Sequence, residues 1–217
     1  MMDDPKLEAR CHARALKGLA RLNSVSGIRR SVWRALKPMI ADGALDVVDV
    51  AAGSGDLVVD LARRTGGGVR FTATDVSERA CAAVRERAAR EGIAIEAVRI
   101  DALHEGVPAC DVAMCHLFLH HLTEDEIVSL LRSMCESARV GVVITDLRRT
   151  RLGYALAWLA SRVLTRSLVV HRDALLSVRA ALNENELRGF AEQAGMRNIS
   201  LRRVWPERME LVWRAGP

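Results

Sequence analysis

Five runs rich in β-branched and apolar residues, at 47–50, 69–75, 93–100, 111–116 and 140–147, have the length of strands, and the first reads as buried on both faces. Helical spacing fills the gaps between them. Leu57 to Ala62 follows the first run, a helix capped by Ser77 runs to Arg90 and stops at Gly92, and Thr123 with Glu126 three places later opens another. Ahead of the first strand, Leu7, Cys11, Ala15, Leu16, Leu19 and Leu22 make one amphipathic helix over 6–21. Ile28, Val32, Trp33, Leu36 and Ile40 make a second after Ser26-Gly27, with Pro38 bending its last turn. Beyond the fifth strand, 154–160 is apolar all round, 168–179 reads as an irregular connection, and a helix over 183–194 is stopped by Gly195. Strands near 197–204 and 208–214 close the chain. Strand and helix in alternation predict an α/β domain with a mostly parallel sheet, and the last pair predicts an antiparallel hairpin upon it.

Chemistry enters at the turn after the first strand, where Gly53 and Gly55 stand between strand and helix. Glycine there lets the backbone approach a ligand and turn tightly. A dinucleotide turn requires a third glycine where Val58 stands, so that pattern fails. An acidic-x-Gly-x-Gly-x-Gly scheme fits instead, from Asp49 through Ala51, in the first glycine place, to Gly53 and Gly55. Asp75 ends the second strand twenty positions after Gly55, where a carboxylate accepts hydrogen bonds from ribose hydroxyls.

These residues resemble motif I of the class I methyltransferases that use S-adenosylmethionine, over residues 45–147. Within that class the chain is similar to the ubiquinone and menaquinone methyltransferases and their small-molecule relatives. They share Asp-Val-Ala-x-Gly-x-Gly-Asp and a preceding Asn, Ser-x-Gly, Arg, Trp run, echoed by Asn23, Ser26, Gly27, Arg30 and Trp33. The resemblance implies a doubly wound, Rossmann-like seven-stranded sheet, mostly parallel with a C-terminal antiparallel hairpin. It implies a single domain over 1–217, with a helical cap at 1–43, a cofactor core at 44–147, and lid helices and terminal strands at 148–217. The implied cofactor is S-adenosyl-L-methionine. Asp49 would take its ammonium side, the turn Ala51, Gly53, Ser54 and Gly55 its methionine end, Asp75 with Val76 its ribose, and Asp101 with Ala102 its adenine. Cys115 and His116, at the end of the fourth strand, complete the implied set.

Composition narrows the partners. Net charge is +5 with pI near 9.3, yet the 32 basic residues include only three lysines, Lys6, Lys17 and Lys37, and the arginines are spread along the chain. Such spread predicts no nucleic-acid stripe. Methyltransferases of base amino groups carry Asn/Asp-Pro-Pro-aromatic after the fourth strand, whereas this chain has Cys115-His116-Leu117-Phe118. Five cysteines without a Cys-x-x-Cys pair predict reduced thiols, a cytoplasmic protein and no metal site. The 154–160 segment is interrupted by Arg162 and Arg166 before it reaches the ~20 apolar residues of a membrane span. A lid, a homodimer surface and peripheral membrane contact all remain open for it.

The expected function is methyl transfer from S-adenosylmethionine to a small, largely apolar acceptor at a phenol or enol oxygen, as in secondary metabolism. The alternatives are carbon methylation of a quinol-like ring and a non-catalytic RNA-binding or membrane-associated module. His120 is the expected base, His116 lines the site, and His121 and His171 are further candidates, since imidazole near its unperturbed pKa of ~6.5 suits a phenol.

Overall fold

The computed structural model describes residues 27–164 and 168–216. The helix expected over 6–21, and Asn23 and Ser26 with it, lie outside these residues. Helix α1 (Ile28–Ala41) leads into β1 (Asp46–Val50), α2 (Asp56–Thr65), β2 (Arg70–Asp75), α3 (Glu78–Glu91) and β3 (Glu96–Arg99). After β4 (Cys110–His116) comes a single 3-10 turn (Leu119–His121), then α4 (Glu124–Ser137), β5 (Ala138–Leu147), α5 (Arg151–Leu164), α6 (Leu168–Ala180), α7 (Glu184–Gln193), β6 (Ser200–Val204) and β7 (Arg208–Arg214). The strands form one seven-stranded sheet in the order β3-β2-β1-β4-β5-β7-β6. Pairing is parallel from β3 through β5, while β7 runs antiparallel to both β5 and β6. The doubly wound sheet and its terminal hairpin are as expected.

Successive residues of the central strands feed opposite cores, because side chains alternate across a pleated sheet. Val47, Phe71, Val112, Met114 and Val143 face one layer with Val32, Leu36 and Met39 of α1, Leu61 of α2 and Val84 of α3. Val48, Val50, Ala113, Cys115, Val142 and Ile144 face the other with Ile127, Leu130 and Met134 of α4 and Leu187 of α7. Fully buried side chains such as Leu61, Ile127 and Leu187 each contribute about 1.5–3 kcal/mol. Helix α1 therefore belongs to a core layer, and it continues through Pro38 to Ala41. Both capping boxes, Thr123 with Glu126 and Asn183 with Glu186, close as their spacing indicates.

Two readings change. Residues 168–179 form helix α6, where an irregular connection was expected. Val170 and Val178, eight residues apart, are both buried, so the segment carries a helical stripe that its β-branched start conceals. The third strand is also shorter than 93–100 and spans only Glu96–Arg99 at the sheet edge, where the pairing with β2 ends. Helix α5 is not uniformly buried: Leu152, Leu159 and Val163 are exposed, and Trp158 is half exposed under the guanidinium of Arg162. Among the described residues, no helix is long and apolar enough to cross a membrane, and no His/Cys/Asp/Glu cluster could hold a metal ion.

Candidate active site

In open α/β sheets ligands lie beyond the carboxyl ends of the strands, where the helices that follow direct their N-termini. At the end of β1 the chain takes positive φ three times in five residues: Ala51 at 54°, Gly53 at 56° and Gly55 at 71°. Ala51 thus adopts the backbone shape that glycine gives in the related pattern, at a cost of about 1–2 kcal/mol. The two glycines serve different ends. A Cβ on Gly53 would meet nothing within 4 Å, so the space it leaves is open on the ligand side. A Cβ on Gly55 would stand 2.9 Å from Cγ2 of Val84 on α3, so here glycine lets two helices approach. Gly55→Ala is expected to cost about 2–4 kcal/mol, combining strain and overpacking, and to lower Tm by ~5–15 °C. Gly53→Ala meets only the backbone strain. Equal melting temperatures for the two variants would remove the packing role of Gly55.

Asp75 organises this turn. Its Oδ2 accepts from Gly53 N–H at 2.9 Å and its Oδ1 from Ser77 N–H at 2.9 Å. Each carboxylate oxygen keeps a second lone pair, enough for a pair of ribose hydroxyls. Asp49, 3 % exposed, lies behind the turn, and burial together with the charge of Asp75 raises its carboxyl well above the usual value. A buried carboxyl of this kind fits a cationic ligand group. Ser54 donates to Oδ2 of Asp56 at 2.6 Å, and Val76 is exposed beside Asp75. Asp101 accepts from Leu103 N–H at 3.1 Å, with His104 Nδ1 3.0 Å from its other oxygen, and Ala102 packs half-buried on the second core. The open space at Gly53, the buried acid at Asp49 and the lone pairs left on Asp75 together fit S-adenosylmethionine.

Two members of the expected set are corrected. Both ring nitrogens of His116 are withdrawn from solvent and without hydrogen-bond partners, and burial pushes its pKa down to about 3. Such an imidazole stays neutral but is too weak a base for a phenol. Cys115 faces the second core with 1 % exposure, so only its backbone is offered to a ligand.

A separate cavity of about 220 Å³ opens on the same side of the sheet, larger than the ~150 Å³ cavity that holds a benzene ring. Leu117, His120 and His121 line it from the loop after β4, and Leu147 from the end of β5. Gly153, Leu156, Ala157 and Ala160 of α5 and Ala174, Ser177 and Val178 of α6 roof it, and Pro206, Glu207 and Arg208 close it from the β6–β7 turn. Leu117 holds φ of 54°, a left-handed shape that stores strain where the chain leaves β4 for the cavity wall.

His120 is the histidine the fold equips. Its Nδ1 lies 2.6 Å from Oδ1 of Asp146, and both side chains are buried. Burial pushes the Asp146 carboxyl up, but the His120 ring, its backbone N–H and that of Leu147 outweigh this and hold it below the usual carboxylate range. The ionised carboxylate accepts the Nδ1 proton, so Nε2 carries the lone pair. His121 is exposed and stacks on His120 with ring centroids 4.2 Å apart. His171 stands half-buried on α6 and is not part of the cavity wall. The structure adds two residues to the expected site. Asp146, an acid closing an apolar strand, was visible as an anomaly of pattern. Arg208, 6 % exposed with a pKa pushed down to about 10 by burial against the opposing pull of Asp146, was not.

Residues 47–141 match the family model described as a methyltransferase domain. Among solved structures, the fold is similar to a protein of Nostoc punctiforme PCC 73102 assigned as an O-methyltransferase, with a TM-score of 0.69 and 15% identity over 93% of this chain and 59% of that one. It is similar to magnesium protoporphyrin IX methyltransferase from Synechocystis PCC 6803 with bound S-adenosylhomocysteine, with a TM-score of 0.63 and 18% identity over 88% of this chain and 84% of that one. It is also similar to human N-acetylserotonin methyltransferase in complex with S-adenosylmethionine, with a TM-score of 0.67 and 17% identity over 92% of this chain and 54% of that one. The chain thus spans 59% and 54% of the length of the first and third of these relatives. No curated protein matches the sequence. The sheet order, the glycine turn and the match over 47–141 agree in one respect: these residues are similar to a methyltransferase domain, and the fold is that of the solved methyltransferases.

Proposed function

We propose that this protein is an S-adenosylmethionine-dependent methyltransferase that acts on a small, largely apolar acceptor and methylates a phenol or enol oxygen, with His120 as the base. The observation that carries this reading is the buried His120–Asp146 pair at the wall of an apolar cavity, on the sheet edge where the parallel neighbours β1 and β4 both end. Bound S-adenosylmethionine supplies the methyl group from a sulfonium that needs no further activation. What the protein adds is position and a proton acceptor. Orientation in a closed cavity provides roughly 7–11 kcal/mol of such a barrier. His120 Nε2 takes the hydroxyl proton as the oxygen–methyl bond forms, and Asp146 holds the ring in the required tautomer and balances the imidazolium. The roof formed by α5 and α6 supports the lid reading of the 148–217 region, with Leu156, Ala157 and Ala160 excluding water over the acceptor. Asp49, Gly53 and Asp75 would hold the cofactor, with Asp101 at its adenine.

The test is incubation with methyl-labelled cofactor and parallel panels of phenols and quinols, followed by mass spectrometry and NMR to locate the methyl group. Methyl on oxygen is expected. Methyl on ring carbon would overturn the oxygen assignment, and no transfer to any member of either panel would overturn the acceptor class.

A further inference from the structure

Helix α5 is inverted relative to an ordinary surface helix. Its small residues face inward: Gly153 and Ser161 are buried, and Ala157 and Ala160 line the roof of the cavity. Its large residues face outward. Leu152, Leu156, Leu159 and Val163 recur at i, i+4, i+7 and i+11, one stripe along the helix, and Leu152, Leu159 and Val163 are 54–72 % exposed. Trp158, half exposed next to Leu159, has the Arg162 guanidinium 4.3 Å from its ring centre. Leu176 on α6 is exposed as well.

The charge around this stripe has one sign. Between Arg151 and Ala180 the sequence sets five arginines, Arg151, Arg162, Arg166, Arg172 and Arg179, against a single carboxylate, Asp173, which lines the cavity. The four of these arginines within the described residues are exposed, and among the described residues none of the four is in an ion pair. By contrast Arg148, Arg149 and Arg203, outside the two helices, pair with Glu184, Glu186 and Glu207. An apolar stripe flanked by uncompensated cations matches an anionic bilayer surface, whose acyl region takes the leucines while its headgroups take the arginines. A second copy of the chain fits less well, because a two-fold contact sets the same arginines against each other. Residues 1–26 carry five lysines and arginines against three carboxylates, so they supply no anionic counterpart either.

We infer that the outward face of α5 rests on an anionic lipid surface while its inward face roofs the cavity. The inference does not depend on which acceptor the cavity takes.

Co-sedimentation of the full chain with vesicles of phosphatidylcholine, with and without about 30% phosphatidylglycerol, tests this. Partitioning onto the anionic vesicles is expected to be at least about tenfold stronger than onto neutral ones, and to weaken as salt rises from about 0.05 to about 0.5 M. Leu159→Gln with Val163→Gln should lower it at least about tenfold by removing the apolar contact. Arg151→Gln with Arg162→Gln should remove most of the preference for anionic vesicles. All four positions are exposed and outside the cavity wall, so the melting temperature and S-adenosylhomocysteine affinity should stay as in the wild-type protein. No sedimentation of the wild-type chain with either vesicle at low salt, or binding that survives both double variants, overturns the inference. Sedimentation velocity without lipid separates the other occupant. Self-association of the wild-type chain that Leu159→Gln with Val163→Gln abolishes would make this face a dimer surface and overturn the lipid assignment.

Discussion

His120→Ala is expected to lower kcat for a phenolic acceptor by about 10²–10⁴-fold, the usual contribution of a positioned base, with S-adenosylhomocysteine affinity unchanged. Residual transfer persists because the cavity still orients the acceptor. Removing the ring also leaves Asp146 buried without its main partner, which destabilises folded proteins by about 3–5 kcal/mol. His120→Asn separates the two effects, because its amide N–H can replace Nδ1 as the donor to Asp146 while no base remains. It should melt closer to wild type than His120→Ala and be equally slow. Wild-type turnover in either variant would show that His120 is not the base.

Cofactor affinity should rise with pH, by up to about tenfold per unit, until Asp49 is fully ionised. Burial and the neighbouring Asp75 charge raise the Asp49 carboxyl, so the folded chain holds a proton that the unfolded chain has released. In the ligand-free protein the contribution of Asp49 to stability is therefore fully present below the ordinary carboxylate value. It is lost as pH climbs through the raised one. A cationic ligand favours the carboxylate and expels that proton. His116 does not compete in this range, since burial keeps it neutral down to about 3. Titrating S-adenosylmethionine in buffers of different ionisation enthalpy should show proton release that fades once pH exceeds the raised value. Asp49→Asn should bind more weakly and without pH dependence. A flat wild-type profile would mean that Asp49 does not meet the cation.

The turn proposed for the cofactor was legible because its geometry is local. Asp49, Gly53 and Gly55 lie within seven residues, their backbone shape follows from glycine's freedom, and Asp75 ends the strand beside them. The acceptor half is assembled from the loop after β4, the end of β5, two helices and the start of β7, and no single stretch announces it. His120 could be named but not ranked, because its distinction from His121 is a carboxylate 26 positions away. Helix α6 was missed because β-branched residues at its start suggest extended chain, whereas its packing is against α5 and the 3-10 turn after β4, which are distant in sequence or follow no local pattern. Arg208 reads as an ordinary charge beside a turn until the antiparallel register sets it against Leu147 at the end of β5.

The antiparallel β7 has a consequence for how such an enzyme diversifies. The residues proposed to hold the cofactor lie within 49–102, whereas the cavity is lined by residues between Leu117 and Arg208. The loop after β4 and the end of the parallel β5 reach the cavity edge of the sheet directly, and the reversed last strand returns its first residue there, pairing Arg208 with Leu147. In this reading methyl-donor binding and acceptor binding are encoded in consecutive parts of the polypeptide. Recombination at the end of β5 could exchange the roof and the final hairpin as a cassette, giving a new acceptor to an unchanged methyl-donor apparatus.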